Sequence, residues 1–300
     1  MDPAAYMPRD QWLQMLGEMN LSESNLRDQR YDIVVHLVSA ANGAEAFYTT
    51  ANNNARSEGL ALAREVDERV MKSWLGHNYM DVVGNETGWE SKVNRVTECV
   101  LNRLGLSDPR YGKGIQKWKF LVTSICGIKV SSSSLEDLAS INLPVASRDF
   151  AVEHIYLHPS SENNEGQARI RKREQLAGTS STSVHYSLTT RYMDKFEVSG
   201  RVERRRNLTG REYEDLRTQG DATRRAIHKI RRVFFCNSRY FQMDIFKDPF
   251  SGLVLLEAYI DLPTEKFTRS EWVLSLLPSW LQVENVTDKK EWSMYEIAKI

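Results

Sequence analysis

QARIRKRE, at residues 167–174, sets Arg169, Arg171 and Arg173 two apart. Side chains of a strand alternate between faces, so in a strand these three guanidiniums point the same way. Arginine grips phosphate through two parallel N–H bonds, and three together suit a multivalent anion. A solvated strand face is the plain alternative. The same period of two recurs downstream. VHYSLTTRYM carries Arg191 in register with Thr189, EVSGRVERRR sets Arg201, Glu203 and Arg205 on one side, and IHKIRRVFF does so for Lys229, Arg231 and Val233. Carboxylates follow the same rule: Glu153 in DFAVEHIYL, Asp244 beside Gln242 in RYFQMDIF, and Glu257 beside Tyr259 in LVLLEAYID. Glu153, Glu203, Asp244 and Glu257 are candidates to hold a divalent cation, or else to neutralise neighbouring arginines.

Composition narrows the anion. The 300 residues carry 40 basic and 40 acidic side chains, so a whole-protein field for nucleic acid is absent. The charge is segregated, however. Residues 1–117 hold 13 basic against 16 acidic side chains, whereas residues 167–239 hold 18 against 8. One stretch of the second half therefore attracts anions. Three cysteines, Cys99, Cys126 and Cys236, are odd in number and widely spaced, which suits neither a disulfide framework nor a zinc site and points to a reducing compartment. No apolar run is long enough to cross a bilayer, and no signal peptide opens the chain. A cytoplasmic location is expected.

The elements that must position these residues fall into two groups. Ile33–Val38 is a short β-branched run expected to be a strand buried on both faces. Leu62, Val66, Val70 and Trp74 recur four apart along a helix that Gly76 closes, and Met80–Val83 reads as a second strand. Strand, helix, strand is the order of an α/β layer. Its customary phosphate loop, G-x-x-x-x-G-K-[ST], is missing; YGKG at 111–114 lacks the spacing and the preceding strand. GLSDPRYGKG then reads as a linker, giving an α/β portion at residues 1–105, a linker at 106–117 and a second domain at 118–300. In the second domain the strands are apolar on one face and charged on the other, with helices such as TGREYEDLR to cover the apolar face. Closing them into a barrel would turn the charged faces inward, where arginines need an anion or carboxylates beside them.

MDPAAYM, RDQRYDIVVHLVSAANGAEAFY, NNNARSEG and WLGHNYMDVVGN resemble the later half of the ATPase-like domain in the TRPL translocation defect protein family. That resemblance implies a P-loop-type fold whose phosphate loop and Mg²⁺-holding carboxylate would lie upstream of Met1. Arg56, in NNNAR, would match the lid arginine that touches nucleotide phosphates. GTP would be expected only with that upstream half. The strands from residue 148 to 262 resemble the CYTH, or triphosphate tunnel, superfamily, an eight-stranded antiparallel barrel around a polyphosphate tunnel. The two resemblances stand in the order in which that family carries the two domains, and the tail segments LPSWL, VENVT and EWSMY fit its end.

The expected fold is thus α+β: a partial α/β P-loop-type remnant, then an eight-stranded CYTH-like antiparallel β-barrel with surrounding helices. Catalytic tunnel enzymes place ExExK on the first strand and ExE on the last to hold metal ions. Here those strands read Ala151-Val152-Glu153-His154-Ile155 and Glu257-Ala258-Tyr259, so acidic residues are lost from both. Mg²⁺ is the metal to expect if one binds, and no other cofactor is implied. The retained basic residues, Arg169, Arg171, Arg173, Arg191, Arg201, Lys229 and Arg231, point to a receptor for phosphoinositide or polyphosphate more than to an enzyme. The resemblance implies a role in vesicle or membrane-protein trafficking. A metal-dependent triphosphatase and a non-binding scaffold are the alternatives. WVLSLLPSWL (272–281) is expected to pack as a helix on the barrel; insertion at an endomembrane interface is the other use of its tryptophans. Nucleic acid is not an expected partner, and no protein partner is named by the sequence.

Overall fold

The computed structural model describes residues 1–51, 58–104, 106, 116–158, 166–176, 184–193, 201–260 and 269–300. The front of the chain folds into α1 (Arg9–Glu18), α2 (Glu23–Asp28), β1 (Val34–Leu37), α3 (Leu60–Ser73), β2 (Met80–Val83) and α4 (Trp89–Leu104). Ser22 starts α2 by accepting the Asn25 N–H while Asn25 reaches back to the Ser22 N–H, which satisfies two end donors at once. β1 and β2 pair in parallel from Val34↔Met80 to Leu37↔Val83, with α3 as the crossover. Gly76, at φ +99°, turns the chain out of α3. The α/β layer expected here is therefore present as two parallel strands with helices; helices α1, α2 and α4 are additional to the expected set.

Everything after residue 115 is built on one ten-stranded sheet. Its strands are β3 (Gln116–Ile125), β4 (Ile128–Lys129), β5 (Ser147–Leu157), β6 (Gln167–Leu176), β7 (Val184–Met193), β8 (Arg201–Leu208), β9 (Ile227–Cys236), β10 (Arg239–Asp248), β11 (Val254–Ile260) and β12 (Leu281–Asn285). They lie in the order β12-β3-β11-β10-β9-β5-β6-β7-β8, with β4 on β3, and all pairings are antiparallel. The expected closed barrel does not form. Closure would need the end strands β12 and β8 to pair, and among the described residues they do not: β8 pairs with β7, and β12 with β3 from Ile125 to Phe120. The sheet instead curls into a trough. Lys117 on β3 and Glu203 on β8, near its two ends, line one cavity.

Period-two alternation decides which face packs. The outer face carries Trp118, Phe120, Phe234, Phe241, Met243 and Leu256, all buried beneath α5 (Leu135–Ser140) and α7 (Arg269–Leu276). WVLSLLPSWL lies here: Val273 is in that core and Trp272, Leu276 and Trp280 pack against it. Further along, α6 (Gly210–Arg217) lays Tyr213 and Leu216 over Ile155, Ile170 and Leu188. Tyr213 and Ile170 are fully buried there, and sealing side chains of this size contributes roughly 2–3 kcal/mol apiece. The inner face is stopped at both ends. Phe150, Val152, Val233, Phe235 and Tyr240 pack against Met1, Trp12, Trp74 and Met80 of the front segment. Tyr156, Ile227, Phe246 and Leu255 pack against Met294, Ile297 and Ala298 in and beside α8 (Met294–Ile297). Between those two apolar stoppers the trough is polar.

Candidate functional site

Strand register lines up the middle of the inner face. Arg171 stands opposite His154 and Ser187, Arg169 opposite Tyr156 and Thr189, and Arg173 opposite Val152 and His185. Thr189 faces Arg205 and Arg191 faces Glu203 on β8. On the other side, Lys229 pairs with Val152 and Phe246, Arg231 with Phe150 and Asp244, and Lys119 with Glu257. Arg169, Arg171, Arg173, Arg191, Lys229 and Arg231 thus share one face, as the alternation requires. The backbone of Arg201 is on β8 in the same phase, but its side chain lies outside the described residues, as does all of Arg56.

Half of this face is electrically closed. Asp244 takes Lys229 Nζ at 2.7 Å and the Arg231 Nε and Nη2 at 2.7 Å each, while Arg231 Nη1 donates to Gln242 at 2.6 Å. Glu257 sits 2.9 Å from Lys117 Nζ and 3.4 Å from Lys119 Nζ. Burial alone would raise both carboxyls, but the facing cations hold each below the usual carboxylate range: Arg231 and Lys229 for Asp244, and Lys117 and Lys119 for Glu257. Arg173 is closed too. It donates to Asp28 and Asn78 through Nη1, to the Gly76 carbonyl through Nη2, and lies 3.5 Å over the Phe150 ring. The hydrogen-bond partners named here, Asp28, Gly76 and Asn78, come from the front segment, so Arg173 fastens that segment to the sheet.

The other half is not closed. Arg171 donates once, to Asn78 Oδ1 at 2.8 Å, and its buried Nε has no partner. Burial pushes its pKa down, and the next three influences, Arg205, Arg173 and Arg231, push the same way, with the Tyr79 hydroxyl opposing them. Arg205 contacts Ser187 Oγ at 3.2 Å and the Tyr79 ring, lines a cavity with Asp28 and Asp32, and its pKa is likewise lowered by burial and by Arg103 and Arg169. Beneath them lie His154 and His185, 2% and 5% exposed, with no hydrogen-bond partner among the described residues on any of their four ring nitrogens. Burial, then Lys229, Arg169, Arg171 and Arg231, hold His154 neutral; burial, then Arg171 and Arg205, press His185 down to about 3. Asp244 and Glu257 thus answer the cations of β3 and β9, whereas on β6 to β8 Glu203 answers Arg191 and Asp28 answers Arg173, and Arg171 and Arg205 are left with fewer bonds. Such a sector attracts an anion.

The carboxylate set proposed for metal is not brought together. Glu153 points to the outer face, where it accepts from the Tyr213 hydroxyl at 2.7 Å beside Arg217 and His228. Glu203 is held by Arg191 and by the Tyr79 hydroxyl. Asp244 and Glu257 are neighbours, but each is already bonded to two cations or more. Among the described residues no three His, Cys, Asp or Glu side chains gather as a metal site. These residues do not fit Mg²⁺ as they stand. The first strand turns Val152, His154 and Tyr156 inward, so its acid faces away from the trough.

Two cavities open where the front segment meets the trough. One, of about 260 Å³, is lined by Ile33, Met80, Cys99, Tyr79, Asp81, Lys117, Glu203, Gln242 and Tyr259 among others. Burial raises the Asp81 carboxyl to about 6, against a bond from Cys99. The other, of about 40 Å³, includes Arg205 and Asn207 and shares Asn78, Tyr79 and Arg103 with the first. Local pattern marks Lys117 and Lys119 by alternation, and puts His154 on the face opposite Glu153. Nothing local marks Asp28, Gly76 or Asn78 as partners of arginines roughly a hundred residues later.

No protein-family model matches the sequence, and no curated protein matches it. Solved structures do. The PH1819 protein of Pyrococcus horikoshii OT3 is 15% identical over 54% of this chain and 86% of its own, with a TM-score of 0.32. A chain in the Mediator head module of Schizosaccharomyces pombe is 10% identical over 56% of this chain and 96% of its own, at a TM-score of 0.32. A conserved hypothetical protein of Pyrococcus furiosus is 17% identical over 56% and 95%, at 0.30. Scores of this size establish neither a shared fold nor a shared role.

Proposed function

We propose that the chain is a receptor for multivalent phosphate, the head group of a phosphoinositide or a polyphosphate, bound on the β6–β8 side of the trough. The observation that carries this reading is Arg171 with Arg205: two partly buried guanidiniums whose pKa values burial and neighbouring cations lower, Arg171 with its Nε unpaired among the described residues and Arg205 in a small cavity it shares with Asp28 and Asp32. An isolated ion in such a place is costly, and a bound anion offsets that cost while using arginine's paired donors. Arg169 completes the cluster from the next inner position of β6. Arg173, Lys229 and Arg231 support it from behind, since their own bonds are taken up internally. The role that accords with such a receptor is peripheral attachment to cytoplasmic endomembranes in vesicle or membrane-protein trafficking.

Binding of tripolyphosphate in solution, and of vesicles with and without phosphoinositide, tests the reading and separates the two sources of phosphate. Arg171→Ala and Arg205→Ala should each weaken binding by about tenfold, near 1.4 kcal/mol. Arg171→Glu should abolish it, and exposed Arg211→Ala should leave it unchanged. Unaltered affinity in folded Arg171→Glu would remove the receptor. The closed salt-bridge half of the trough favours a second reading, a charge lattice that only holds the fold, and absence of binding to every probe would select it. Phosphate release from tripolyphosphate with Mg²⁺ or Mn²⁺ would instead make the protein a hydrolase.

A further inference from the structure

We propose that His154 and His185 are part of the anion site as its proton acceptors: a multivalent anion settling on Arg171 and Arg205 draws protons from solvent onto these imidazoles, so the anion binds more tightly in acid. This rests on the receptor reading above.

The placement carries the argument. His154 is the direct cross-strand partner of Arg171, and His185 lies one strand further, opposite Arg173. Both are buried and, among the described residues, none of their ring nitrogens has a partner. Buried polar groups are normally satisfied, so two unsatisfied imidazoles on one face, with β6 between them, need an explanation. The charged groups facing His154 are Lys229 and Arg231 from β9 and Arg169 and Arg171 from β6, all cations. Those facing His185 are Arg171 and Arg173 from β6, Arg205 from β8, and the Asp28 carboxylate from α2, which opposes them. Without an anion, a proton on either ring would join four or three like charges, so both rings are neutral near pH 7. An anion on Arg171 and Arg205 offsets the two largest opposing charges at His185 and the share of Arg171 at His154, and so favours protonation of the rings. Linkage is reciprocal: if the anion raises the histidines' proton affinity, protons raise the anion's affinity by the same factor.

The sign follows. Both imidazoles are held below their ordinary value, so the gain appears as pH falls below about 6.5, the unperturbed value of histidine. Asp81, raised to about 6, and Lys229, which burial brings down to about 7, also titrate in this range, and Asp81→Asn and Lys229→Met isolate their shares.

The experiment is calorimetric titration of the full chain with inositol hexasulfate, a multivalent anion that does not itself titrate, between pH 5.5 and 7.5. Two buffers of different ionisation enthalpy give proton uptake directly. The expected result is at least tenfold tighter binding at pH 5.5, with net proton uptake near pH 6. In His154→Gln/His185→Gln, folded by circular dichroism, the pH dependence should shrink to what Asp81→Asn and Lys229→Met remove. Should that variant not fold, the wild-type measurement stands alone: binding without proton uptake overturns this inference and leaves the receptor intact. No binding at any pH overturns both.

Discussion

Replacing Gly76 with alanine should destabilise the protein by about 3 kcal/mol, the sum of a left-handed residue and an overpacked contact. Gly76 has φ +99°, and a Cβ there would meet the Phe150 ring at 2.7 Å and the Arg27 guanidinium carbon at 3.4 Å. The same residue's carbonyl accepts from Arg173, so loss of this turn also loosens the hold of sheet on front segment. Urea unfolding with an unchanged slope and a lower midpoint would bear this out, and a wild-type midpoint would refute it. The shared face of Arg169, Arg171 and Arg173 was legible from spacing alone. Their fates were not. Arg173 is bonded by Asp28, Gly76 and Asn78, all supplied by a segment that local pattern does not relate to it. Spacing also cannot say which face of a strand is the inner one. Glu153 faces out because Tyr213 and Leu216 of α6 need the apolar side chains beside it.

At the level of elements, the four strands β9, β10, β11 and β3 are tied by Asp244 and Glu257. Asp244→Ala would leave Lys229 and Arg231 buried beside each other without their acceptor, and the loss should be about 3–5 kcal/mol. Asp244→Ala/Lys229→Met should recover much of that in thermal denaturation, because the pair is then removed together; no recovery would show that the network is not what Asp244 stabilises. Alternation announced these strands well, since apolar outer faces and charged inner faces keep a strict period of two. That the sheet stays open was not announced: β12, a five-residue strand from far along the chain, is added on β3, and the end strands β12 and β8 do not pair among the described residues.

Across the whole molecule, the front segment and the sheet share one apolar cluster in which Trp12, Trp74 and Met80 meet Phe150, Val233 and Tyr240. Tyr240 also donates to the His77 carbonyl at 3.1 Å, and Tyr79 to Glu203. A boundary of this kind couples its two sides, so both should unfold in a single transition. Far-ultraviolet circular dichroism and tryptophan fluorescence, dominated by different parts of the chain, should give coincident curves; two separated steps would mean that the front segment melts alone. The sequence placed a linker near this boundary and predicted two domains, which follows from composition around residues 105–114. What composition could not convey is that side chains such as Arg173 and Phe150 make the contact intimate.

The separation of Asp244 and Glu257, on β10 and β11, from Arg171 and Arg205, on β6 and β8, has an effect that a formal charge of zero conceals. A neutral body with separated poles has a large dipole moment, and a dipole turns in a field gradient even though it does not drift in a uniform one. Near an anionic bilayer the protein would therefore be rotated before contact, presenting its arginine flank first.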